Sequence, residues 1–232
     1  MRAILFDFNG VLVDDEPIHL ELVRQVLAEE DVSVSAAEVR ELCLGRDDRE
    51  GFGAALDAVG ADTPADLVAR LVARKAAYYQ MRMRRDGYPI FPGARELVVA
   101  AHDAGWMLGL VTGALHAEAE GALRQMGVRD RFKTVVASED VKRGKPDPEP
   151  YRLGFQDLNA QPPLPARLLH PHEVLAVEDS PAGLKAAAAL GLATLGIAQT
   201  HRVEELTELA DHVVPSIAEV TPATINRLFQ NS

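Results

Sequence analysis

The sequence predicts an α/β fold: a doubly wound parallel sheet with helices on both faces and an all-helical cap inserted after the first strand. Three observations predict it. Short apolar runs of strand length recur along the chain, amphipathic stretches of helical period separate them, and residues 15–88 contain no strand candidate at all. Strands that alternate with helices in this way build a parallel sheet covered on both sides.

The strand runs are "AILFDF" (3–8), "WMLGLV" (106–111), "TVVA" (134–137), "VLAV" (174–177), "ATLGI" (193–197) and "HVV" (212–214), each bounded by Gly, Pro, Asp or Ser. Helical stretches cover 93–104, 115–126, 181–190 and 202–209. The segment 15–88 reads as helix throughout, from "PIHLELVRQVLAEE" to "PADLVARLVARKAAYYQMRMRR", and the chain rejoins the sheet near "GYPIFPG" (87–93). The expected division is a core of 1–14 with 89–232 and a cap of 15–88. "NAQPPLPARLLHPHE" (159–173) holds four of the chain's 14 prolines and reads as a stiffened surface loop.

Composition excludes several classes of function. The 232 residues are 47% hydrophobic and 25% charged, as in a globular protein. With 35 acidic against 24 basic residues the formal charge is −11, which repels polyanions. No nucleic-acid partner and no membrane surface is expected. The single cysteine, Cys43, rules out an internal disulfide and reads as a packing residue. The apolar run before Asp7 is too short for a signal peptide or a membrane span, so a cytoplasmic location is expected by default. A monomer is the separate default for oligomeric state.

Polar residues gather where the predicted strands end. Asp7 and Asn9 close the first strand, Thr112-Gly113 the second, Lys145 lies in "RGKPDPEPY", and Glu178-Asp179 follow "VLAV". In a parallel sheet the crevice outside the carboxyl ends is where ligands bind. Each group has a chemical use there. An aspartate can attack phosphorus and carry it as an acyl phosphate. Asp7, Glu178 and Asp179 would repel one another without a cation, and a small hard ion with oxygen ligands suits Mg²⁺. Thr112 and the backbone at Gly113 suit a phosphoryl group near a helix start. Lys145 offsets developing negative charge. "DSPAG" reads as an N-cap serine with proline at the first helical position.

These residues resemble the haloacid dehalogenase-like superfamily, and within it the branch that holds β-phosphoglucomutase, phosphoglycolate phosphatase and small sugar-phosphate phosphatases. "FDFNGVLVDDEPIH", "LVTGA", "GKPDPEPY" and "VEDSPAGLKAAAALG" match its four motifs in order and spacing, and the helical insertion sits where this branch places its cap. The resemblance implies a Rossmann-like core and a small phosphorylated metabolite as substrate. It implies Asp7 as nucleophile and magnesium ligand, with the backbone carbonyl of Asn9, Asp179 and, through water, Glu178 completing the metal site. Thr112, Gly113 and Lys145 would bind the transferring phosphoryl group. "LGRDDREGF" (44–52) resembles the loop that closes over substrate, which makes Arg46 and Arg49 candidates for its distal groups.

Asn9 departs from the family pattern of aspartate, any residue, aspartate. The second aspartate is the family's general acid and then base. An amide hydrogen-bonds but exchanges no proton. Three readings stay open on this point: a phosphatase slowed by Asn9, a phosphate-binding or regulatory protein without turnover, and a β-phosphoglucomutase-type phosphotransferase. Asp14, Asp15 or a cap residue could supply the proton instead. Asp14 reads as a structural hydrogen-bonding residue, and Asp15 stands where the branch often has a hydroxyl. Carbon-attacking dehalogenases need no magnesium, which the Glu178-Asp179 pair argues against. A lysine Schiff base, as in phosphonoacetaldehyde hydrolase, finds arginines in the corresponding loop, and Lys75 reads as solvated on a basic helix.

Overall fold

The computed structural model describes residues 2–43, 46–162, 164 and 167–228. Among these residues six strands form one sheet: β1 (Ala3–Phe6), β2 (Met107–Val111), β3 (Phe132–Val136), β4 (Val174–Glu178), β5 (Ala193–Ile197) and β6 (His212–Val214). They lie in the order β3-β2-β1-β4-β5-β6, and every pairing is parallel. The chain winds outward in one direction from β1 and in the other from β4. The sheet's switch point therefore falls between those two strands, and sheets of this kind bind ligands at the carboxyl edge of that point.

Alternation along β1 explains the two-sided core. Ile4 and Phe6 pack with Leu108, Leu110, Leu175, Val177 and Leu195 on one face, whereas Ala3 and Leu5 pack with Val174, Ala176, Tyr151 and Leu158 on the other. Both faces are apolar, as a parallel sheet between helices requires. The covering helices are α5 (Ala94–Asp103), α6 (His116–Gln125), α7 (Glu149–Ala160), α8 (Pro181–Ala188), α9 (Val203–Thr207) and α10 (Pro222–Leu228).

Two strand limits differ from the sequence expectation by two residues, and the others by one at most. β1 stops at Phe6 rather than 8, because the Phe8 carbonyl accepts from the N–H groups of Leu12 (2.8 Å) and Val13 (3.1 Å) and turns the chain into a loop. β3 starts two residues earlier than the apolar run, since Phe132, Thr134 and Val136 are buried while Lys133 and Val135 between them are half-buried. That strand is marked by alternation rather than by continuous hydrophobicity. Helix α7 lies outside the helical stretches named above, although "KPDPEP" (145–150) reads as a proline-shaped helix entry. Its buried stripe is Tyr151, Gly154 and Leu158, and the glycine at its centre carries no hydropathy signal.

The chain divides into two units, one joining residues up to Asp14 with those from Tyr88 onward, the other spanning Asp15–Gly87. The second unit holds α1 (Glu16–Ala28), α2 (Ala36–Cys43), α3 (Asp48–Ala58) and α4 (Ala65–Asp86) around its own core of Val23, Val26, Leu27, Val39, Phe52, Leu56, Val68 and Leu71. Asp15 is fully buried there, accepting from the Tyr79 hydroxyl and lying 3.2 Å from His19 Nε2, so it ties α1 to α4. Asp14 is exposed, and its backbone N–H donates to the Pro89 carbonyl at 2.7 Å.

The expectation for Lys75 is corrected. It is 3% exposed and forms an ion pair with Asp48. The reason is its register: Val68, Leu71, Lys75, Tyr79 and Met83 recur at helical spacing on the buried face of α4, and the surrounding arginines hide that stripe in the sequence. Cys43 is half-buried against the same core, and burial pushes its thiol up to about 11, so it is inert as a nucleophile. Among the described residues no helix is long and apolar enough to cross a membrane.

Candidate active site

Strand register alone brings the acidic groups together. Phe6 lies opposite Leu110 on one side and Val177 on the other. The next residues in line are therefore Asp7, Val111 and Glu178. The Asp7 N–H continues the ladder to the Val177 carbonyl at 2.9 Å, and the Thr112 N–H does the same to Val136 at 2.9 Å.

Lys145 reaches this edge from the loop before α7. Its Nζ lies 2.6 Å from Asp7 Oδ1 and 2.6 Å from Glu178 Oε1, and it donates to the Val111 carbonyl at 2.9 Å. One carboxylate oxygen from each of Asp7, Glu178 and Asp179 lies within 4.8 Å of the other two. All three acids are buried. Three carboxylates thus face one ammonium in a space of low polarity, and the charges leave their mark. Burial, and then the Glu178 charge, push the Asp7 carboxyl from 3.8 up to about 7 against the pull of Lys145. Burial, followed by the charges of Asp7 and Glu178, raises Asp179 well above the usual carboxylate range. Burial works against the charge on Lys145, but Asp7 and Glu178 outweigh it and the ammonium is held more tightly than usual. An all-oxygen set with excess negative charge fits a hard divalent cation.

Neighbouring residues fix these carboxylates. Ser180 caps α8 by accepting from the Gly183 N–H at 3.1 Å, with Pro181 opening the helix, and its hydroxyl donates to Glu178 Oε2 at 3.2 Å. The Tyr151 hydroxyl donates to Glu178 Oε1 at 2.6 Å. The Thr200 hydroxyl bonds Asp179 Oδ2. Gln199 donates its amide to the Gly10 carbonyl at 2.9 Å and accepts from the Ile217 N–H at 2.9 Å, which pins the loop after β1. In that loop Asn9 is half-buried and its backbone bridges to Val13.

Gly10 has φ +75°, and a Cβ on it would stand 2.0 Å from Asp179 Oδ2. Only glycine fits this position. Gly10→Ala is expected to cost about 1–3 kcal/mol from backbone conformation alone, with displacement of Asp179 added, read as a lower denaturant midpoint.

At the end of β2, Thr112 is buried and its Oγ1 accepts from the Ala114 N–H at 2.9 Å, which leaves its own proton to donate. Gly113 is exposed, and a Cβ there would meet nothing within 4 Å. Helix α6 starts at His116, one residue inside the expected stretch, and its first N–H is taken by Glu139 at 3.1 Å. Arg46 and Arg49 are exposed beside the start of α3, where Asp47 accepts from the Glu50 N–H at 2.8 Å. Leu44 and Gly45 of the same loop lie outside the described residues.

Tyr151, Thr200 and Gln199 were not singled out in the sequence. Tyr151 had a signal, as the last residue of "GKPDPEPY"; "AQTHR" offered none.

Known proteins resemble this chain in sequence and in fold. A family model described as haloacid dehalogenase-like hydrolase matches residues 1–191. The chain is 30% identical over 193 residues to a phosphorylated carbohydrates phosphatase of Thermotoga maritima, covering 83% of this chain and 82% of that protein. It is 30% identical over 219 residues to the validoxylamine A 7'-phosphate phosphatase of Streptomyces hygroscopicus subsp. limoneus, covering 94% and 95%. Among solved structures, CbbY from Rhodobacter sphaeroides in complex with phosphate superposes with a TM-score of 0.84 at 26% identity, over 97% of this chain and 99% of that one. An aspartate-to-asparagine mutant of the same CbbY, in complex with xylulose-(1,5)bisphosphate, gives 0.81 at 27% identity over 94% and 96%. A sheet of this order with its acids crowded at the switch point, and a family model spanning most of the sequence, make the chain a member of the haloacid dehalogenase-like hydrolases.

Proposed function

We propose that the chain is a Mg²⁺-dependent phosphatase that transfers the phosphoryl group of a small phosphorylated metabolite to Asp7. The observation that carries this reading is the contact of Lys145 Nζ with both Asp7 Oδ1 and Glu178 Oε1 at 2.6 Å, beside a third carboxylate. A nucleophile, a charge-neutralising cation and a cation-binding cluster then occupy one crevice. The relatives named for phosphorylated carbohydrates and for validoxylamine A 7'-phosphate support a sugar phosphate or a similarly sized ester as substrate.

In this reading Asp7, Asp179, the Asn9 backbone carbonyl and, through water, Glu178 would hold a magnesium ion, which would supply charge neutralisation to the phosphoryl oxygens. Thr112 donates its hydroxyl proton to a phosphoryl oxygen, the backbone at Gly113 offers an N–H, and Lys145 balances the charge that develops. Arg46 and Arg49 are the cap's candidates for the distal part of the substrate. The other Asp7 carboxylate oxygen bonds to phosphorus as the ester P–O bond breaks, and the leaving alkoxide takes its proton from water because Asn9 has none to give. Water then attacks the acyl phosphate on Asp7 without a base at position 9. Both steps are slowed, and the second decides how long the intermediate lives.

Incubation with Mg²⁺ and a reactive acyl phosphate is expected to add the mass of one phosphoryl group to the peptide containing Asp7. Mass spectrometry without any adduct, together with no phosphate release from a panel of esters, would sink the proposal. Asn9 also favours a second reading, phosphate binding without turnover, which predicts orthophosphate binding by calorimetry and no adduct at all.

Magnesium binding carries a pH signature. With its carboxyl raised from 3.8 to about 7, Asp7 holds a proton more tightly in the folded, metal-free protein than in the unfolded chain. Its contribution to stability is complete below 3.8 and is lost as the pH rises through about 7. A divalent cation takes the place of that proton. The rise in melting temperature on adding Mg²⁺ is therefore expected to be small in acid and to grow as the pH passes 7, measured by thermal unfolding with and without the ion. A shift that does not change with pH would contradict it.

A further inference from the structure

We infer that Tyr151 is a positioning residue of the active site, setting the orientation of Glu178 and the place of Lys145 together. The inference rests on the reading of the three carboxylates as a magnesium site. Tyr151 is fully buried on the first turns of α7, directly after the loop that delivers Lys145. Its hydroxyl donates to Glu178 Oε1 at 2.6 Å, the same oxygen that lies 2.6 Å from Lys145 Nζ. Its ring lies under the ammonium, with Nζ 5.2 Å from the ring centroid. One side chain therefore touches the anion through its hydroxyl and the cation through its face.

Division of labour follows from these contacts. Lys145 is shared between Asp7 and Glu178, and only the Asp7 contact serves a phosphoryl group arriving there. Glu178 is fully buried and needs donors on both oxygens. Ser180 supplies one to Oε2, and Tyr151 supplies a neutral one to Oε1. Without the phenol, Glu178 Oε1 has Lys145 as its donor, and the ammonium is drawn from Asp7 toward Glu178. A magnesium ion must then displace a Lys145 held more tightly by Glu178 than in the parent before it can use that carboxylate. The phenolic O–H serves as the donor in this contact. Gly183 closes the other side of the acid, since a Cβ there would stand 2.0 Å from its carboxylate. Glu178 thus has little room to reorient on its own.

Tyr151→Phe removes the hydroxyl and keeps the ring. Partners of this kind behind a metal ligand are typically worth 10–100-fold in metal affinity. Magnesium titration by calorimetry, in the absence of any phosphate ester, is expected to show Kd about 10–100-fold weaker in Tyr151→Phe, with the melting temperature of the metal-free protein close to that of the parent. In a Glu178→Gln background the same change is expected to have no further effect on Kd, because the hydroxyl acts through that carboxylate. Should Tyr151→Phe fail to fold, the parent itself reports: a tyrosine near-ultraviolet difference spectrum is expected to saturate with Mg²⁺ along the calorimetric isotherm. A Kd unchanged in folded Tyr151→Phe, an equal loss in the Glu178→Gln background, or a silent tyrosine spectrum would overturn the inference. A parent protein that binds no Mg²⁺ would overturn the cation reading beneath it.

Discussion

Asn9→Asp is expected to raise phosphate release from alkyl phosphate esters by roughly 10²–10⁴-fold, the usual worth of a general acid–base. The rest of the site is in place for it: the loop carrying position 9 is pinned by Gln199, and the contacts of Asp7 with Lys145 do not involve the Asn9 side chain. An added carboxyl would protonate the leaving oxygen in the first step and take a proton from water in the second. The gain should depend on the leaving group. A sugar phosphate departs as a strongly basic alkoxide and needs the proton, whereas a nitrophenyl phosphate departs as a weak base and needs it less. The ratio of variant to parent rates is therefore expected to be largest for sugar phosphates and smallest for aryl phosphates, measured by steady-state phosphate release. In parallel, the phosphoryl adduct on Asp7 should become shorter-lived. Equal rates for both forms on every ester would place the proton transfer elsewhere or remove turnover from the proposal.

Asp7→Asn, made in the Asn9→Asp background, is expected to abolish both the adduct and turnover. Deleting a nucleophile from a site of this kind costs on the order of 10⁴–10⁶-fold, because the remaining groups can bind but cannot take the phosphoryl group. Stability is expected to move the other way. Burial and the charge of Glu178 already disfavour the ionised carboxyl, which titrates at about 7 in the folded protein. A neutral amide of the same shape escapes that penalty above pH 7. The metal-free variant should then melt no lower than the parent there, and it should gain less from Mg²⁺. Loss of turnover with stability retained is the mark of a functional acid held at the expense of the fold. Loss of both would make Asp7 a structural residue.

Much of this molecule is legible in its sequence, for reasons that differ from element to element. The continuous apolar runs over β4 and β5 mark strands buried on both faces, and the glycines, prolines and capping serine around them set the ends. β3 and α7 were less plain, the first because it is only half-apolar, the second because a glycine sits in its buried stripe. Asp7, Thr112, Lys145 and Glu178-Asp179 stood out as polar residues at strand ends, which is a local property. Lys75 did not read correctly, because its burial depends on which face of α4 meets the other cap helices.

By itself the sequence determined the sheet-and-helix pattern, the inserted helical segment, the edge on which the acids gather and the missing acid at position 9. All of these follow from periodicity and from residue chemistry at neighbouring positions. Only the tertiary structure decided that one ammonium bridges Asp7 and Glu178, that Tyr151 and Thr200 hold Glu178 and Asp179 at the end of β4, and that Gly10 packs against Asp179. Those contacts join residues from 21 to 169 positions apart, and two of them, Lys145 to Asp7 and Tyr151 to Glu178, join residues 138 and 27 apart. Hydropathy and spacing register a residue's own surroundings along the chain, whereas a hydrogen bond of this kind exists only once parallel strands have been brought side by side in register.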